Sequence, residues 1–377
     1  MPHLGTLSGL TQMPDELCLR ILSFNRVLLL YAVSKSFRKF LQDFRPFAVV
    51  KVRKSDNFRQ NFDTLVNKVQ LLTLKFSTHR VPCERDFLYS LSKSPMLTKL
   101  KFSQVDLENP TARLFCEGLQ SLPHLEDLAL KNNHLNPQTF SAVALALMLY
   151  TKIKRLSVEC NQVGKIGAVC LRHLLRNKPE FEKLKFVFTT IPRKEEIKIF
   201  RVLESCSNFK TIAVSGKFVH MLLKSLPKLR ELRKMSFVRG IIPIPDMKRF
   251  LYALQSCTKI SHLNLSRSDY IGRGVKYIAQ TIQQLPQLTQ LNLRRCKILK
   301  QGIVVLCGAL PACTELMVLD LAENGMCDAC ADEVVHALGS MPKLRAVDLS
   351  QNSLSETTQF RIVQELRALH NLLRVKL

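Results

Sequence analysis

Tryptophan is absent from the 377 residues, and aromatic side chains make up only 7% of the chain. Flat platforms on which bases could stack are therefore scarce. No RGG tract or interleaving of aromatic with basic residues runs along the sequence, so nucleic acid is the weaker candidate among charged partners. Negative charge is also in short supply, with 30 acidic residues against 56 Lys and Arg and a net charge of +26. Such an excess permits acidic peptides, nucleic acid or an anionic membrane surface without choosing among them. Long apolar runs are missing, since the richest stretch, Ser141 to Tyr150 (SAVALALMLY), falls well short of the roughly 18 residues that cross a bilayer. No membrane span is expected. The opening MPHLGTLSGLTQ has neither the basic and apolar blocks of a secretory signal nor the Arg-rich amphipathic helix of a transit peptide. A cytoplasmic or nuclear protein is the expectation.

The motifs of several enzyme classes are lacking too. There is no phosphate-cradling G-x-x-x-x-G-K-[ST], no G-x-G-x-x-G after a strand, no H-E-x-x-H and no G-x-S-x-G. The nine histidines are dispersed, and His173 and His336, which share a helical repeat position, lie six repeats apart. Cys170 and Glu333 each precede one of them by a helical turn, a spacing that packing or a solvated face explains as readily as a site. The twelve cysteines fall mostly inside apolar helical patterns, where a reduced thiol acts as a small hydrophobe. Cys327 and Cys330 have no second pair at zinc-site spacing. Neither a catalytic residue nor a metal or cofactor site is expected.

What the chain does contain is a repeat. Leu316 to Met326 reads LMVLDLAENGM, an L-x-x-L-x-L-x-x-N-x-L pattern in which Leu319 and Leu321 alternate with polar Asp320 as on a half-buried strand. The amide of Asn324 is placed to satisfy backbone groups at the turn that follows. The phase returns at Leu125, Ile153, Ile260, Leu288 and Leu344, and more weakly at Val69, Leu97, Phe181, Phe209, Leu232 and Leu372. Of the eleven intervals between these twelve starts, ten are 28 residues and one, Phe209 to Leu232, is 23. Each unit reads as a strand, a turn and an apolar-periodic helix, as in Lys165 to Arg176 or Val275 to Leu285. Prolines at 123, 179, 227, 286 and 342 end the helices.

A regular 28-residue unit of this kind resembles the ribonuclease-inhibitor type of leucine-rich repeat, over about four-fifths of the chain. The resemblance implies an α/β fold, a curved solenoid with a parallel concave sheet and outer helices, across residues 69–377. The short step leaves room for only a brief helix around Val219 to Ser225, with a local change of curvature. The next unit carries GIIPIPD, Gly240 to Asp246, read as a stiff loop beside its strand. Over 46–68, Val49, Val50 and Val52 form an opening strand that links the array to what precedes it. The last strand, Leu372 to Leu377, has no helix after it and is a potential pairing edge.

Residues 1–45 form a small helical module. Pro14, Asp15 and Glu16 suit a first helical turn, with Leu17, Ile21 and Leu22 on one face, and a second helical stretch runs from Leu28 to Leu41. Met13-Pro14-Asp15-Glu16-Leu17, Ile21-Leu22-Ser23-Phe24 and Val33-Ser34-Lys35-Ser36-Phe37 together resemble an F-box, the module that docks a substrate receptor onto the adaptor subunit of a cullin-RING ubiquitin ligase. That likeness implies adaptor contacts at Pro14, Leu17, Ile21, Leu22 and Val33. The alternative is a cap over the open apolar end of the solenoid.

Aligning the repeats brings Arg239, Arg267 and Arg295 into one column, with Lys234 and Arg294 nearby. Equivalent residues on neighbouring strands stand about 4.8 Å apart, and arginines so stacked repel by roughly 3 kcal/mol per pair at an effective dielectric of 20. An anion relieves that, and guanidinium forks suit carboxylate or phosphate. Glu323, one repeat beyond Arg295, is the internal candidate for neutralising it. The expected function is a non-enzymatic adaptor, the substrate receptor of an F-box type ligase that binds an acidic or phosphorylated protein target on the concave face. A basic scaffold subunit of a larger, RNA-containing assembly is the alternative.

Overall fold

A computed structural model describes residues 47–52, 70–77 and 91–377, apart from 105–106, 108–110, 188, 216–221, 239–243, 269–270 and 368–372. The F-box-like stretch, and with it Pro14, Leu17, Ile21, Leu22 and Val33, lies outside the described residues. Two compact units divide the chain, Met1–Lys178 with Thr189–Glu195, and Pro179–Phe188 with Glu196–Leu377.

The first unit carries strands β1 (Phe47–Val52), β2 (Gln70–Ser77), β3 (Lys99–Ser103), β4 (Asp127–Lys131) and β5 (Arg155–Glu159), and helices α1 (Thr111–Gln120), α2 (Pro137–Tyr150) and α3 (Gly164–Asn177). Helix α4 spans Arg193–Leu203. The second unit carries β6 (Lys183–Val187), β7 (Thr211–Ser215), β8 (Lys234–Val238), α5 (Ile244–Leu254), β9 (His262–Asn264), α6 (Val275–Ile282), β10 (Gln290–Asn292) and α7 (Leu299–Cys307). It continues through β11 (Val318–Asp320), α8 (Ala331–Gly339), β12 (Ala346–Asp348), α9 (Glu356–Arg367) and β13 (Arg374–Lys376).

Within each unit consecutive strands pair in parallel, and the register repeats the sequence period. Lys99 faces Asp127 and Asp127 faces Arg155, while Lys234, His262, Gln290, Val318, Ala346 and Arg374 follow one another across the second unit. Thr211 faces Lys234, which places the short step where the repeat pattern has it. The opening strand forms as β1 and pairs with β2, so it belongs to the sheet itself. Two expectations are corrected. Thr73, not Leu71, faces Lys99, so the weak repeat at Val69 sits two residues further on; Leu72-x-Leu74 and Leu74-x-Phe76 fit the pattern equally, and a shift of two preserves the strand's faces. In GIIPIPD, Ile244, Pro245 and Asp246 already form the first turn of α5, where proline's missing N–H costs nothing and a carboxylate meets the positive end of the helix dipole.

Strand side chains alternate. In β3, Leu100 and Phe102 are buried and Lys99, Lys101 and Ser103 face outward. The buried row packs on the helices: Phe102 meets Phe115 of α1 edge-on at 5.2 Å, and Phe237 meets Phe250 of α5 at 5.4 Å. Each fully buried ring contributes roughly 1.5–3 kcal/mol through apolar burial. Helix α2 is fixed at its start by Asn136, whose side chain accepts the Thr139 N–H at 2.8 Å ahead of Pro137 at the first helical position.

Strand length is set by one side chain per repeat. β9 to β12 are three residues long and end in Asn264, Asn292, Asp320 and Asp348. Each of these accepts the N–H two residues on, from Ser266, Arg294, Ala322 and Ser350, at 3.0, 3.0, 3.1 and 3.0 Å. These local bonds turn the chain out of the ladder. In β3 to β8 the same column holds Lys101, Ala129, Ser157, Lys185, Ala213 and Ser236, and the strands run five residues.

A second column stands just beyond the strands in left-handed backbone. Gln104, Asn132 and Cys160 in the first unit, and Arg267, Arg295, Glu323 and Gln351 in the second, have φ between 50° and 59°. For side chains other than glycine this conformation costs about 1–2 kcal/mol per residue. The bonds it allows offset the strain: the amides of Arg267, Arg295 and Glu323 reach carbonyls of the next repeat (Arg294, Ala322, Ser350) at 2.8, 2.9 and 3.0 Å. One residue further on stands the asparagine ladder. The Asn324 Oδ1 accepts from the amides of Cys296 (2.9 Å) and Ile298 (3.4 Å), and its Nδ2 donates to carbonyls of Leu293, Leu321 and Ala322. Asn161 does the same for Asn133 and Leu135 in the first unit.

Candidate interaction surface

The strands present their outward side chains as columns one repeat apart, and the chemistry of this open face changes along each unit. In the first, Asp127 lies between two cations of neighbouring strands, Lys99 at 3.2 Å and Arg155 at 3.7 Å. At the strand starts, glutamates pair with lysines of the following repeat: Glu126 with Lys154 at 2.8 Å in the first unit, and Glu182 with Lys210 at 2.7 Å in the second. The Lys154 bond, with Arg155 beside it, holds the Glu126 carboxyl below its ordinary value. Part of the basic excess is thus already matched inside the protein.

Further along the second unit, β8 begins with an exposed cation, Lys234. His262 stands opposite it on β9, with Nδ1 2.8 Å from the Ser261 hydroxyl. Burial, and then the nearby Lys234 charge, lowers the pKa of this imidazole, so it is neutral at pH 7. Two strands on, Asp320 and Asp348 face one another across β11 and β12. Burial pushes the Asp320 carboxyl up, with the Asp348 charge adding and the Ala322 N–H opposing; Asn292 donates to it at 3.0 Å. Burial also works on Asp348, but the bonds from Ser350 and Lys376 outweigh it and hold that carboxyl down.

The residues singled out from the sequence separate into three places. Lys234 is at the start of its strand, away from the others. Arg267 and Arg295 occupy the left-handed turn column in adjacent repeats and are exposed, so the arginine row is carried by turns and not by the pleated strands. Arg239 lies outside the described residues. Arg294 is half-buried and donates from Nε to the Glu323 carboxylate at 2.7 Å, with Nη2 2.6 Å from the same oxygen and 3.0 Å from the Gln351 side chain. The Glu323 bond raises its pKa further. Glu323 reaches Arg295 only at 4.0 Å. Its carboxylate therefore neutralises Arg294 first, because a partly buried guanidinium gains more from a short charge-assisted bond than an exposed one does. Gln351, missed in the sequence, completes this cluster; it sits two repeats beyond Arg295 in the same turn column, and the period of 28 was signal enough to find it.

Other polar groups serve packing. Burial pushes the Cys257 and Cys307 thiols up to about 12 and the Cys116 and Cys313 thiols to about 11, so they remain neutral and unreactive. Cys330 donates to the Cys327 carbonyl at 3.0 Å as a short turn leads into α8. Among the described residues no group of three or more His, Cys, Asp or Glu side chains could hold a metal ion, and no helix is long and apolar enough to cross a membrane.

No protein-family model matches the chain, and no curated protein does. Solved structures do. A chain of the yeast Rad7 and Elc1 complex superposes over 98% of this chain and 87% of its own, with TM-score 0.53 and 13% identity. The fold is a leucine-rich repeat solenoid. Two bacterial proteins are also similar, each at 13% identity: the leucine-rich repeat protein LegL7 of Legionella pneumophila (TM-score 0.45, 85% of this chain and 98% of that one) and the internalin InlF of Listeria monocytogenes (TM-score 0.40, 94% of each). At such identity the likeness is one of fold, and function has to be read from the surface.

Proposed function

We propose that this leucine-rich repeat protein is a protein-interaction adaptor, in which residues 1–45 are an F-box-like module for a ubiquitin-ligase adaptor subunit and the repeats of 69–377 select an acidic or phosphorylated protein. The observation that carries the reading is the turn column of the second unit. Arg267 and Arg295 are exposed in adjacent repeats on backbone held by inter-repeat bonds, while the nearest carboxylate, Glu323, is taken up by Arg294. Two exposed guanidinium groups on fixed backbone, with little internal compensation, suit a partner that brings carboxylates or phosphate. Lys234 adds charge at the opposite ends of the strands. The N-terminal half of the reading rests on the motif at Pro14, Leu17, Ile21, Leu22 and Val33. That the fold neighbour Rad7 was crystallised with a second protein accords with a repeat array that works in company.

Both halves have their own experiment. Purified protein should bind the purified ligase adaptor in a pull-down, and Leu17→Asp with Ile21→Asp should abolish this while thermal unfolding of the repeats stays nearly unchanged. Loss of stability without adaptor binding in the parent would return the module to a cap. On an array of acidic and phosphorylated peptides, Arg239→Glu, Arg267→Glu and Arg295→Glu together should remove the ligands that the parent retains. Retained peptides with the triple variant would take the turn column out of consideration.

A further inference from the structure

The opposite side of the second unit, where the helices face solvent, carries a patch that the sequence read residue by residue conceals. Lys248 and Lys276 occupy equivalent positions of α5 and α6, one repeat apart, and both reach the half-buried ring of Tyr277, at 5.7 and 5.0 Å from its centroid. The two ammonium groups are therefore no more than roughly 11 Å apart, near one Debye length at physiological salt. The same segment also carries exposed Arg249 on α5, exposed Arg273 in the turn leading into α6, and, on α7, exposed Lys300, one helical turn before Val304, which holds the position equivalent to the two lysines. No ion pair among the described residues reaches Lys248, Arg249, Lys276 or Lys300. Against these four cations, α5 brings one half-exposed carboxylate, Asp246, and α6 and α7 bring none. The patch is bounded, since the next helical segment presents exposed Asp328, Asp332 and Glu333. Within it Tyr252 projects with 73% of its surface exposed, one helical turn beyond Lys248.

We infer that the outer face of α5, α6 and α7 binds single-stranded nucleic acid. The lysine column of α5 and α6, on helices about 8–10 Å apart, followed by Lys300 one helical turn earlier on α7, matches a polyanion whose charges recur along one direction. The exposed Tyr252 face gives a base something to stack on, a contribution that tolerates any sequence. The surface beside the cations is hydrogen-bonding, with Gln280, Gln283, Gln284 and Gln301 exposed. That composition favours bases and sugars over a lipid headgroup layer, although Leu299, Val304 and Val305 are also exposed on α7 and make an anionic bilayer the competitor to test. Short local pairs, Lys248 and Arg249 with Tyr252 and Lys276 with Tyr277, become one patch because repeats 28 residues apart are neighbours.

This site is independent of the adaptor reading, which concerns other surfaces. Fluorescence anisotropy of the full chain with labelled 20-nucleotide oligo(U) and oligo(dT), from 50 to 200 mM salt, tests it. Binding should weaken steeply with salt. Lys248→Gln, Arg249→Gln, Lys276→Gln and Lys300→Gln together should weaken it at least about tenfold and flatten the log–log salt slope by up to about 3, at roughly 0.7 per lost phosphate contact on a single strand. Tyr252→Ala should weaken binding about fivefold or more with the slope unchanged. A charge-matched control, Lys101→Gln, Lys131→Gln, Lys165→Gln and Arg176→Gln in the first unit, should bind like the parent, as should the Leu17 and Ile21 double variant. Equal loss in the charge-matched control would overturn the assignment in favour of bulk charge. Oligonucleotides left unbound while vesicles with 20% phosphatidylserine bind through these same lysines would overturn it in favour of a membrane.

Discussion

Replacing Asn352 by alanine tests what holds one repeat to the next. Its Oδ1 accepts the amides of Asn324 and Met326 at 2.9 and 3.1 Å, and its Nδ2 donates to the carbonyls of Leu349 at 2.6 Å and Leu321 at 3.2 Å. Asn324 and Met326 are fully buried, so truncation strands two amides where no strand partner is at hand. Each such group costs about 1–3 kcal/mol. The Leu321 carbonyl keeps the Asn324 side chain at 3.0 Å and loses less. Because Asn352 itself is half-exposed, water can enter part of the vacated space, which places the expected loss at about 2–4 kcal/mol. Urea unfolding measures the total. Hydrogen exchange localises it, since the Asn324 and Met326 amides should lose protection far beyond those of the first unit. Asn352→Asp keeps the one oxygen that accepts both amides but turns a carboxylate oxygen, in place of the donor, towards the Leu349 and Leu321 carbonyls, so it should recover only part of the loss. A cost under about 1 kcal/mol, or an aspartate no better than alanine, would refute the idea that the side-chain acceptor is what the turn requires.

The left-handed column makes a second prediction at exposed Cys160, where φ is 53°. Cys160→Val should destabilise by more than about 1 kcal/mol despite removing no buried contact, because β-branched side chains tolerate this backbone worst, whereas Cys160→Gly should be neutral or mildly stabilising, relief of strain offsetting the entropy of the unfolded chain; thermal unfolding of the pair decides. Third, Glu126→Gln should destabilise slightly at pH 7, within the range of about 0–1 kcal/mol of a partly exposed pair. Because the folded-state pKa of Glu126 is depressed by Lys154 and Arg155, its contribution is fully present above the unfolded value of about 4.3 and vanishes as pH falls through the folded value. The two proteins should therefore converge in stability as pH falls below the unfolded value and through the depressed folded one; a gap that shows no narrowing on acidification would mean that packing, and not charge, sets it.

Much of this architecture was legible because a repeat writes the same physics many times. The register of β8 to β13 follows the 28-residue spacing of Leu232, Ile260, Leu288, Leu316, Leu344 and Leu372, and the 23-residue step survives as the pairing of Thr211 with Lys234. Asn324 was readable as a turn residue from its place alone. Its reach back to Cys296 and Ile298 was not, since nothing local says that a side chain serves the previous repeat. The phase at Val69 misled because leucine stands at 71, 72 and 74. Pro245 misled because proline punctuates loops and opens helices equally well, and only the partners of the following turn distinguish the two.

The candidate sites were harder for a different reason. Side-chain direction on a strand follows from parity, but Arg267 and Arg295 leave the strand through a backbone conformation that neither residue favours by itself. That conformation comes from the column, through amide bonds to the next repeat, so a residue's role there is dictated by neighbours 28 positions away. The same holds for the charge balance: Glu323 looks from the sequence like the counterion of Arg295, yet depth in the turn gives it to Arg294. It holds again on the helical side, where Lys248 and Tyr277 meet although 29 residues separate them. In a solenoid the functional unit is the column, and a column is invisible to any window shorter than one repeat.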